Sequence, residues 1–165
     1  MTTVGSGAVG TAGLAVILAL SALVSRARPF PPVGEAEQRR LLLVGSVAWV
    51  VQAAHFTEEL LTDFSTAFPR TLGLSPWSRS SFAVFNVAWL LVWVAALSLA
   101  PRGHRSAEWP LWFLAMALTV NGIAHLALAV QAEGYFPGLW TAIPAGVAGL
   151  LLLSELLRLT QSVAA

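Results

Sequence analysis

Residues 41–61 read LLLVGSVAWVVQAAHFTEELL, and this stretch decides the fold of the chain. Its length matches the ~20 mostly apolar residues that a helix needs to cross the hydrocarbon core of a bilayer. Apolar and polar positions do not alternate in it, as they would in a strand of a membrane β-barrel. Because a helix pairs its backbone polar groups within its own segment, the stretch predicts a transmembrane helix.

Four further apolar stretches of similar length predict helices of the same kind. They cover residues 8–25, 82–100, 109–131 and 139–159. The first resembles a signal peptide in length, but its flank MTTVGSG has no basic residue, so we expect it to remain a span. We therefore expect an all-α fold, a bundle of five transmembrane helices in one membrane domain, residues 1–165.

The segments between these spans contain proline and glycine, which interrupt helices. The longest predicted loop covers residues 63–81 and includes Pro69, Gly73 and Pro76. It also contains several large apolar side chains, namely Phe64, Phe68, Leu72, Leu74 and Trp77. We expect this loop to lie on the membrane surface or to cap the bundle.

The composition excludes several classes of protein. Hydrophobic residues make up 57% of the chain and charged residues only 10%, whereas soluble domains carry about 25% charged residues. An ordinary soluble enzyme, a disordered segment and a nucleic-acid-binding domain are therefore excluded. The chain has no cysteine, so disulfides and cysteine-ligated zinc are excluded as well.

Arginine is distributed unevenly between the two faces of the predicted bundle. Only Arg70 and Arg79 fall on one face. The other face carries Arg26, Arg28, Arg39, Arg40, Arg102, Arg105 and Arg158. Because basic residues accumulate on the cytoplasmic side, we expect an outside N-terminus and a cytoplasmic C-terminus, in a bacterial plasma membrane.

One group of polar residues lies inside the predicted spans, while the other charged residues lie in loops or near span ends. The second span contains His55, Glu58 and Glu59, and the fourth contains Asn121 and His125. An ionisable group inside a bilayer costs several kcal/mol unless it is paired or hydrated. Glu58 and Glu59 follow His55 by three and four residues, so all three can face one direction. We expect the two glutamates to act as one titrating unit.

The predicted depths of these polar residues in the membrane agree. At ~1.5 Å per residue, His55 lies ~21 Å along the second span and His125 ~24 Å along the fourth, both from the cytoplasmic side. Asn86 lies ~6 Å along the third span from the outer side. Gln52 shares the stripe of His55, and Tyr135 follows the fourth span at the outer turn. The sequence thus predicts one polar site in the outer half of the membrane.

These motifs resemble the HXXEE family of small membrane proteins. In chain order they are a His-x-x-Glu-Glu sequence, a second histidine and a Tyr-x-Pro-Gly sequence: His55, Glu58, Glu59, His125, Tyr135, Pro137 and Gly138. The resemblance covers roughly residues 41–159. The family is defined by these motifs and has no generally assigned activity, so the resemblance supports the choice of residues and leaves the chemistry open.

Acid–base catalysis on a lipophilic substrate is the function that the residues favour. A carboxylic acid in an apolar pocket has a raised pKa and can donate a proton to an alkene or epoxide at neutral pH. Either Glu58 or Glu59 would donate the proton, with His55 and His125 as bases or charge partners and Asn121 orienting His125. Such a site suits an isomerase, cyclase or epoxide-opening enzyme for terpenoid, sterol-like or polyketide molecules, with no cofactor.

Five residues are candidates for binding the substrate: Gln52, Asn86, Trp89, Trp93 and Tyr135. Asn86, Trp89 and Trp93 share one face of the third span, where the indole rings could stabilise a carbocation by cation–π contact. Helix packing is the more common role of such tryptophans, and Tyr135 could equally be an interfacial anchor. We expect a lipophilic small molecule and membrane lipid as partners, and no nucleic acid.

A metal site is the main alternative. His55, Glu59 and His125 would give three ligands to one divalent transition metal ion, zinc or iron, with an open position for hydrolysis or oxidation. Their spacing differs from the His-Glu-x-x-His sequence of zinc proteases. A transporter or small-ligand-binding protein would use the same polar cluster. In a purely structural protein the polar side chains would only join helices.

Overall fold

Six α-helices occur in the computed structural model, which describes residues 7–32 and 34–161, with side chains in the first helix from residue 13 onward. They are α1 (Gly7–Ala27), α2 (Glu35–Leu61), α3 (Phe64–Thr71), α4 (Arg79–Leu99), α5 (Glu108–Gln131) and α6 (Leu139–Gln161). Two 3₁₀ turns, Ala100–Arg102 and Arg105–Ala107, connect α4 to α5. No strand occurs within the described ranges, so the predicted all-α fold is confirmed.

Four of these helices are long and apolar enough to cross a membrane, namely α2, α4, α5 and α6. The described part of α1, Gly13–Ala27, is apolar and shorter. Many large apolar side chains point outward from the bundle, including Leu43, Val84, Leu91 and Val130. An apolar exterior around a packed interior is typical of a helix bundle surrounded by lipid.

Helix α5 lies at the centre of the bundle. It packs along α6 and also against α1, while α2 packs against α6 and α4. Its central side chains are fully buried, among them Leu111, Trp112 and Leu118. A Cβ atom on Gly122 of α5 would lie 2.7 Å from the Cα atom of Gly146 of α6, so the backbones of these helices touch. Small residues permit such close approach between membrane helices.

The helices alternate in direction, which gives the bundle two distinct ends. Glu58 near the end of α2 contacts Thr141 at the start of α6, whereas Arg40 near the start of α2 contacts Glu155 towards the end of α6. We call the first of these the site end and the second the far end. The site end contains the C-terminal ends of α2 and α5 and the N-terminal ends of α4 and α6.

The segment 63–81, expected to be a loop, contains the short helix α3. Pro69 lies inside this helix and has no amide hydrogen, so the Ser65 carbonyl lacks the partner that a helix normally supplies. That carbonyl accepts a hydrogen bond from the Trp77 amide instead, at 3.0 Å. The chain therefore folds back at this point. Phe64 of α3 packs against Phe82 of α4, and these rings form an apolar cap on the site end.

A buried carboxylate that the sequence analysis did not single out lies at the far end. Glu155 is 1% exposed. One of its oxygens lies 2.7 Å from Nε of Arg40, and the other lies 2.7 Å from a terminal nitrogen of Arg158. The sequence predicts that the charged residues outside the His/Glu cluster lie in loops or near span ends, and Glu155 departs from this prediction because its side chain is buried within the bundle. The burial of Glu155 is explained by its two guanidinium partners, one of which comes from a different helix.

Candidate functional site

A carboxylate and two histidines form the centre of the candidate site. Oε1 of Glu59 lies 3.3 Å from Nε2 of His55 and 3.3 Å from Nε2 of His125. All three side chains are buried. His55 and Glu59 share a face of α2 because they are four residues apart, and His125 reaches them from α5. We call these three residues the trio. No arginine pairs with Glu59 in the part of the chain that the structure describes.

His55 is held by α5 and α6. Its Nδ1 lies 3.0 Å from the hydroxyl oxygen of Thr141, and its Nε2 lies 2.6 Å from the side-chain nitrogen of Asn121. The Thr141 hydroxyl donates its only hydrogen to Glu58, so its oxygen accepts from His55, and Nδ1 carries a proton. The Nε2 atom of a neutral His55 then accepts a hydrogen from Asn121. The sequence predicted that Asn121 orients His125, whereas it contacts His55 across the helix interface.

His125 is buried and has unused hydrogen-bonding capacity. Neither of its ring nitrogens has a partner at hydrogen-bonding geometry among the described residues, although Nε2 approaches Glu59. The ring of Phe64 stacks on it with a centroid distance of 5.3 Å, and Phe136 lies at its edge at 6.2 Å. A neutral imidazole offers one donor and one acceptor, so His125 can exchange a proton or bind a ligand.

Glu58 faces the N-terminus of α6. Its Oε2 accepts hydrogen bonds from the amide of Thr141, at 2.8 Å, and from the hydroxyl of the same residue. Its Oε1 accepts from the hydroxyl of Tyr135, at 2.7 Å. The first amides of a helix lack internal partners and carry partial positive charge, so Glu58 satisfies and stabilises this helix end. The two glutamates that the sequence treats as one titrating unit therefore have different partners.

Tyr135 lies outside the membrane-spanning segments, beside Glu58. Its side chain is 45% exposed and does not line the cavity described below, although the sequence made it a candidate for binding substrate. Burial raises the pKa of Tyr135, and its hydrogen bond to Glu58 raises it further. Because the hydroxyl keeps its proton at neutral pH, Tyr135 is a hydrogen-bond donor to Glu58.

Gly138 brings the second sequence motif into contact with the first. Its φ angle is +88°, which favours glycine. A Cβ atom here would lie 2.6 Å from Cε1 of His125, 2.9 Å from Cγ of Glu59 and 3.0 Å from Cε1 of His55. The backbone of Gly138 therefore lies directly against the trio. In the sequence this glycine is part of the Tyr-x-Pro-Gly motif, and its role becomes visible only in the folded structure.

A cavity of about 350 Å³ opens beside the trio. This volume is within the range of small-molecule sites, ~300–1,000 Å³. Glu59 and His125 lie on its wall, whereas His55 and Glu58 do not. The wall also includes Asn121 and four of the five predicted substrate-binding residues, which are Gln52, Asn86, Trp89 and Trp93.

The remainder of the cavity wall is almost entirely apolar. Its aromatic and aliphatic members come from five helices and include Leu14, Ile17, Phe56, Phe64, Phe82 and Phe113. None of these residues is among the site residues predicted from the sequence. Apolar side chains at helical spacing are typical of helix packing, so only the packing of the helices distinguishes a lining residue from a core residue.

Two kinds of chemistry fit this arrangement. Glu59, His55, Thr141 and Glu58 form a continuous series of polar contacts from the cavity wall to a half-buried carboxylate, along which protons can move. The trio can also supply three metal ligands, since one atom from each residue lies within 4.8 Å of the others. Ligands of a tetrahedral zinc ion are ~3.3 Å apart, given metal–ligand distances of about 2.0–2.1 Å.

Comparison with curated proteins and with solved structures finds no match. A family model described as "Protein of unknown function with HXXEE motif" matches residues 46–150, more than half of the chain. The matched region contains the trio, Glu58 and Gly138. The chain therefore belongs to the family of proteins with the HXXEE motif, as the resemblance in its sequence predicted.

Proposed function

We propose that the protein is a membrane-embedded enzyme that performs acid–base chemistry on a small lipophilic substrate, as an isomerase, a cyclase or an epoxide-opening enzyme. The observation that carries the proposal is the surroundings of Glu59. This carboxyl group is buried, its close charge partners are two histidines, and it lies on the wall of an apolar cavity. Buried titratable groups that face one another in a cleft are typical of acid–base catalysts.

The chemical step begins with a protonated Glu59 in contact with the substrate. Its proton is transferred to an alkene carbon or an epoxide oxygen, and positive charge develops on a neighbouring carbon. Aromatic rings line the same cavity, and the ring of Phe64, which stacks on His125, stabilises that charge by cation–π attraction. His125 then removes a proton from an adjacent carbon, which forms a new double bond. One proton enters the substrate and one leaves, so an isomerisation needs no other reactant.

The catalyst is restored by proton transfer within the trio. His125 returns its proton to Glu59, from which it is separated by 3.3 Å. Exchange with the exterior follows the series of contacts through His55, Thr141 and Glu58, which ends beside the half-exposed Tyr135. In this scheme Glu59 is the proton donor, while Glu58 positions α6 and exchanges protons.

The substrate reaches the cavity from the lipid. Leu14 and Ile17 of α1 and Phe85 of α4 all line the cavity, yet α1 packs against α5 and has few contacts with α4. The space between α1 and α4 is therefore the route for a molecule dissolved in the bilayer. Terpenoid, sterol-like and polyketide molecules have the apolar character and the size that this route and this cavity require.

Carbodiimide labelling tests the proton donor without knowledge of the substrate. Dicyclohexylcarbodiimide modifies carboxyl groups that are protonated in apolar surroundings. We expect mass spectrometry to find the label on Glu59 at pH 7 and not on Glu155, which is equally buried but paired with two arginines. Absence of label from Glu59, in protein that is labelled elsewhere, would contradict its role as an acid.

A second experiment tests the reaction. Membranes that contain the protein are incubated in D₂O with a panel of terpenoid alkenes and epoxides. The proposed mechanism requires products with solvent deuterium on carbon after alkene protonation, and cyclised or rearranged products after epoxide opening. Both should vanish in Glu59→Gln and persist in Glu155→Gln. Conversion that is equal in wild type and Glu59→Gln would exclude the mechanism.

A metal-dependent hydrolase or oxidase is the second candidate. The observation that favours it is the pair of 3.3 Å separations around Oε1 of Glu59, which match the spacing of ligands around a tetrahedral ion. Against it, Nε2 of His55 already bonds to Asn121. Elemental analysis separates the candidates: one zinc or iron per chain, lost in His55→Ala, would replace the metal-free mechanism with this one.

We further propose a bacterial plasma membrane as the location, with the site end outside the cytoplasm. Arg70 and Arg79 are the only arginines near the site end, and the other seven are on segments near the far end. The chain has no cysteine, so single exposed cysteines can report orientation. In intact cells, an impermeant maleimide should label Ser75→Cys and not Ser106→Cys. The reverse pattern would invert the proposed orientation.

A further inference from the structure

Besides His125 of the trio, three polar side chains on the cavity wall make no hydrogen bond to another residue in the described parts of the chain. They are Gln52 on α2 and Asn86 and Trp93 on α4, with exposed fractions of 4%, 5% and 2%, and the indole nitrogen of Trp93 is itself fully buried. All three line the cavity. A buried polar group without a partner is costly, and most buried polar groups in proteins are paired. These groups therefore need a partner that occupies the cavity.

The two amides lie at nearly the same level on α2 and α4, and Trp93 approaches them from further along α4. The indole nitrogen of Trp49 donates a hydrogen bond to the Leu90 carbonyl at 2.9 Å, which fixes the antiparallel register of α2 and α4. Gln52 follows Trp49 by three residues, and Asn86 precedes Leu90 by four, so the two amides are at nearly the same level. Trp93 extends back towards them, since helical side chains tilt towards the N-terminus of their helix.

The chemistry of these groups specifies the partner. The indole N–H of Trp93 can only donate a hydrogen bond, and each amide has two N–H groups to donate. An oxygen atom that accepts hydrogen bonds is the partner that the indole requires and that an amide N–H can share. The remainder of the wall is aromatic or aliphatic and favours hydrocarbon. Gln52 precedes Glu59 by seven residues on α2, which separates the amides from the catalytic carboxyl by ~10 Å along the helix axis.

We propose that the cavity binds an oxygenated lipophile, a molecule that is mostly hydrocarbon and carries a carbonyl, ether or hydroxyl oxygen. That oxygen binds at Gln52, Asn86 and Trp93. The part of the molecule that reacts lies ~10 Å away, at Glu59. The inference rests on the proposed function in taking this cavity as the substrate site. It adds that a pure hydrocarbon is a poor ligand and that recognition and reaction occur at opposite ends of the molecule.

Binding of two matched probes tests the inference. 2-Tridecanone and tetradecane have the same number of heavy atoms, and only the first has an oxygen. Each is added to purified protein at equal mole fraction in the detergent micelle, and its dissociation constant is derived from the rise in melting temperature. We expect the ketone to bind about tenfold more tightly than the alkane, the difference that one good hydrogen bond produces.

Two tryptophan variants provide a matched control. Trp93→Phe removes the unpartnered indole N–H of a residue that lines the cavity and should reduce the preference for the ketone to less than threefold. Trp112 is also fully buried with an unpartnered indole nitrogen, but it does not line the cavity. Trp112→Phe should therefore keep the tenfold preference. Asn86→Leu should resemble Trp93→Phe, and unchanged affinity for tetradecane shows that a variant retains its fold.

The outcomes separate this inference from the proposed catalytic mechanism. Equal affinity for the two probes in the wild type would overturn the inference, because water would then satisfy the polar groups. Equal loss of preference in Trp93→Phe and Trp112→Phe would also overturn it. Neither result depends on turnover. Conversely, a clear ketone preference together with no carbodiimide label on Glu59 would leave the binding site established and the acid mechanism wrong.

Discussion

Two carboxylates are buried at opposite ends of the same helix bundle, and their surroundings differ in one decisive way. Glu155 at the far end lies against Arg40 and Arg158, with a nitrogen 2.7 Å from each of its oxygens. Glu59 at the site end lies against His55 and His125, each at 3.3 Å. Arginine keeps its charge at any physiological pH, whereas histidine gains and loses a proton near neutrality.

This difference assigns different roles to the two groups. A carboxylate held by two permanent cations joins the helices that carry them. A carboxylate beside two histidines and an apolar cavity can exchange its proton with its neighbours and with a ligand. Burial alone is therefore a poor indicator of function in this protein. The identity of the charge partners and the presence of adjacent free space distinguish the candidate catalytic group from the structural one.

The sharpest test of the comparison is the effect of each substitution on activity. Glu59→Gln should lower turnover by about 10²–10⁴-fold, because it removes the proton donor and keeps the shape of the side chain. Glu155→Gln should leave turnover per folded molecule unchanged. The measurement is product formation by each variant, normalised to folded protein. An equal reduction of turnover by both substitutions would contradict the different roles assigned to Glu59 and Glu155.

Replacement of Gly138 tests how tightly the site end is packed. Gly138→Ala should destabilise the protein by about 2–4 kcal/mol, because the new methyl group strains the backbone and displaces the trio. Gly73 is the matched control, since its φ is +68° and no atom lies within 4 Å of a Cβ there. Gly73→Ala should cost only the backbone strain, about 1–2 kcal/mol. Unfolding in detergent measures both, and equal losses would contradict the close contact with the trio.

The structural role of the far end predicts a smaller loss of stability. Glu155→Gln should destabilise the fold by about 1–3 kcal/mol, a moderate cost because both arginines can turn towards solvent. Glu35 provides the control, since its ion pair with Arg39 is highly exposed. Glu35→Gln should change stability by less than about 0.5 kcal/mol. A Glu155→Gln protein as stable as wild type would show that the buried ion pairs are dispensable.

The smallest expected effect concerns the exposed end of the proton path. Tyr135→Phe should cost about 0.5–1.5 kcal/mol, since Glu58 keeps its hydrogen bonds from α6. The pKa of Tyr135 is raised in the folded protein, so its stabilising contribution is complete below its unfolded pKa and is lost as pH rises through the folded value. Tyr135→Phe should lack this alkaline loss. An identical pH dependence of unfolding in both proteins would exclude this contribution.

Much of this arrangement follows from the sequence because helices impose regular spacing. The lengths of the apolar stretches predict the membrane helices, and the i, i+4 spacing predicts that His55 and Glu59 share a face. The predicted depths in the membrane place His125 and Asn121 at the same level as His55. In the structure these side chains are in contact. In each case one rule of helix geometry is enough to make the prediction.

The remaining features depend on contacts that no local rule supplies. Adjacent helical residues point ~100° apart, so Glu58 and Glu59 face different neighbours, but only the position of α6 decides which one meets the cavity. The burial of Glu155 depends on Arg40, which lies more than a hundred residues earlier in the chain. Helix α3 was unexpected because proline usually ends a helix. The carbonyl of Ser65, which Pro69 leaves without a helical partner, is satisfied by the distant amide of Trp77.

The contacts of α2 with α6 have a mechanical consequence for the trio. Glu58 joins α2 to the first turn of α6, and Arg40 joins α2 to Glu155 near the opposite end of α6. Sliding α2 along α6 by a single residue, ~1.5 Å, would strain both attachments at once. The same slide would change the 3.3 Å spacing between Glu59 and the histidine on α5 by a large fraction. Either attachment alone opposes this slide, so the axial alignment of α2 that the trio requires is preserved when the other attachment is removed.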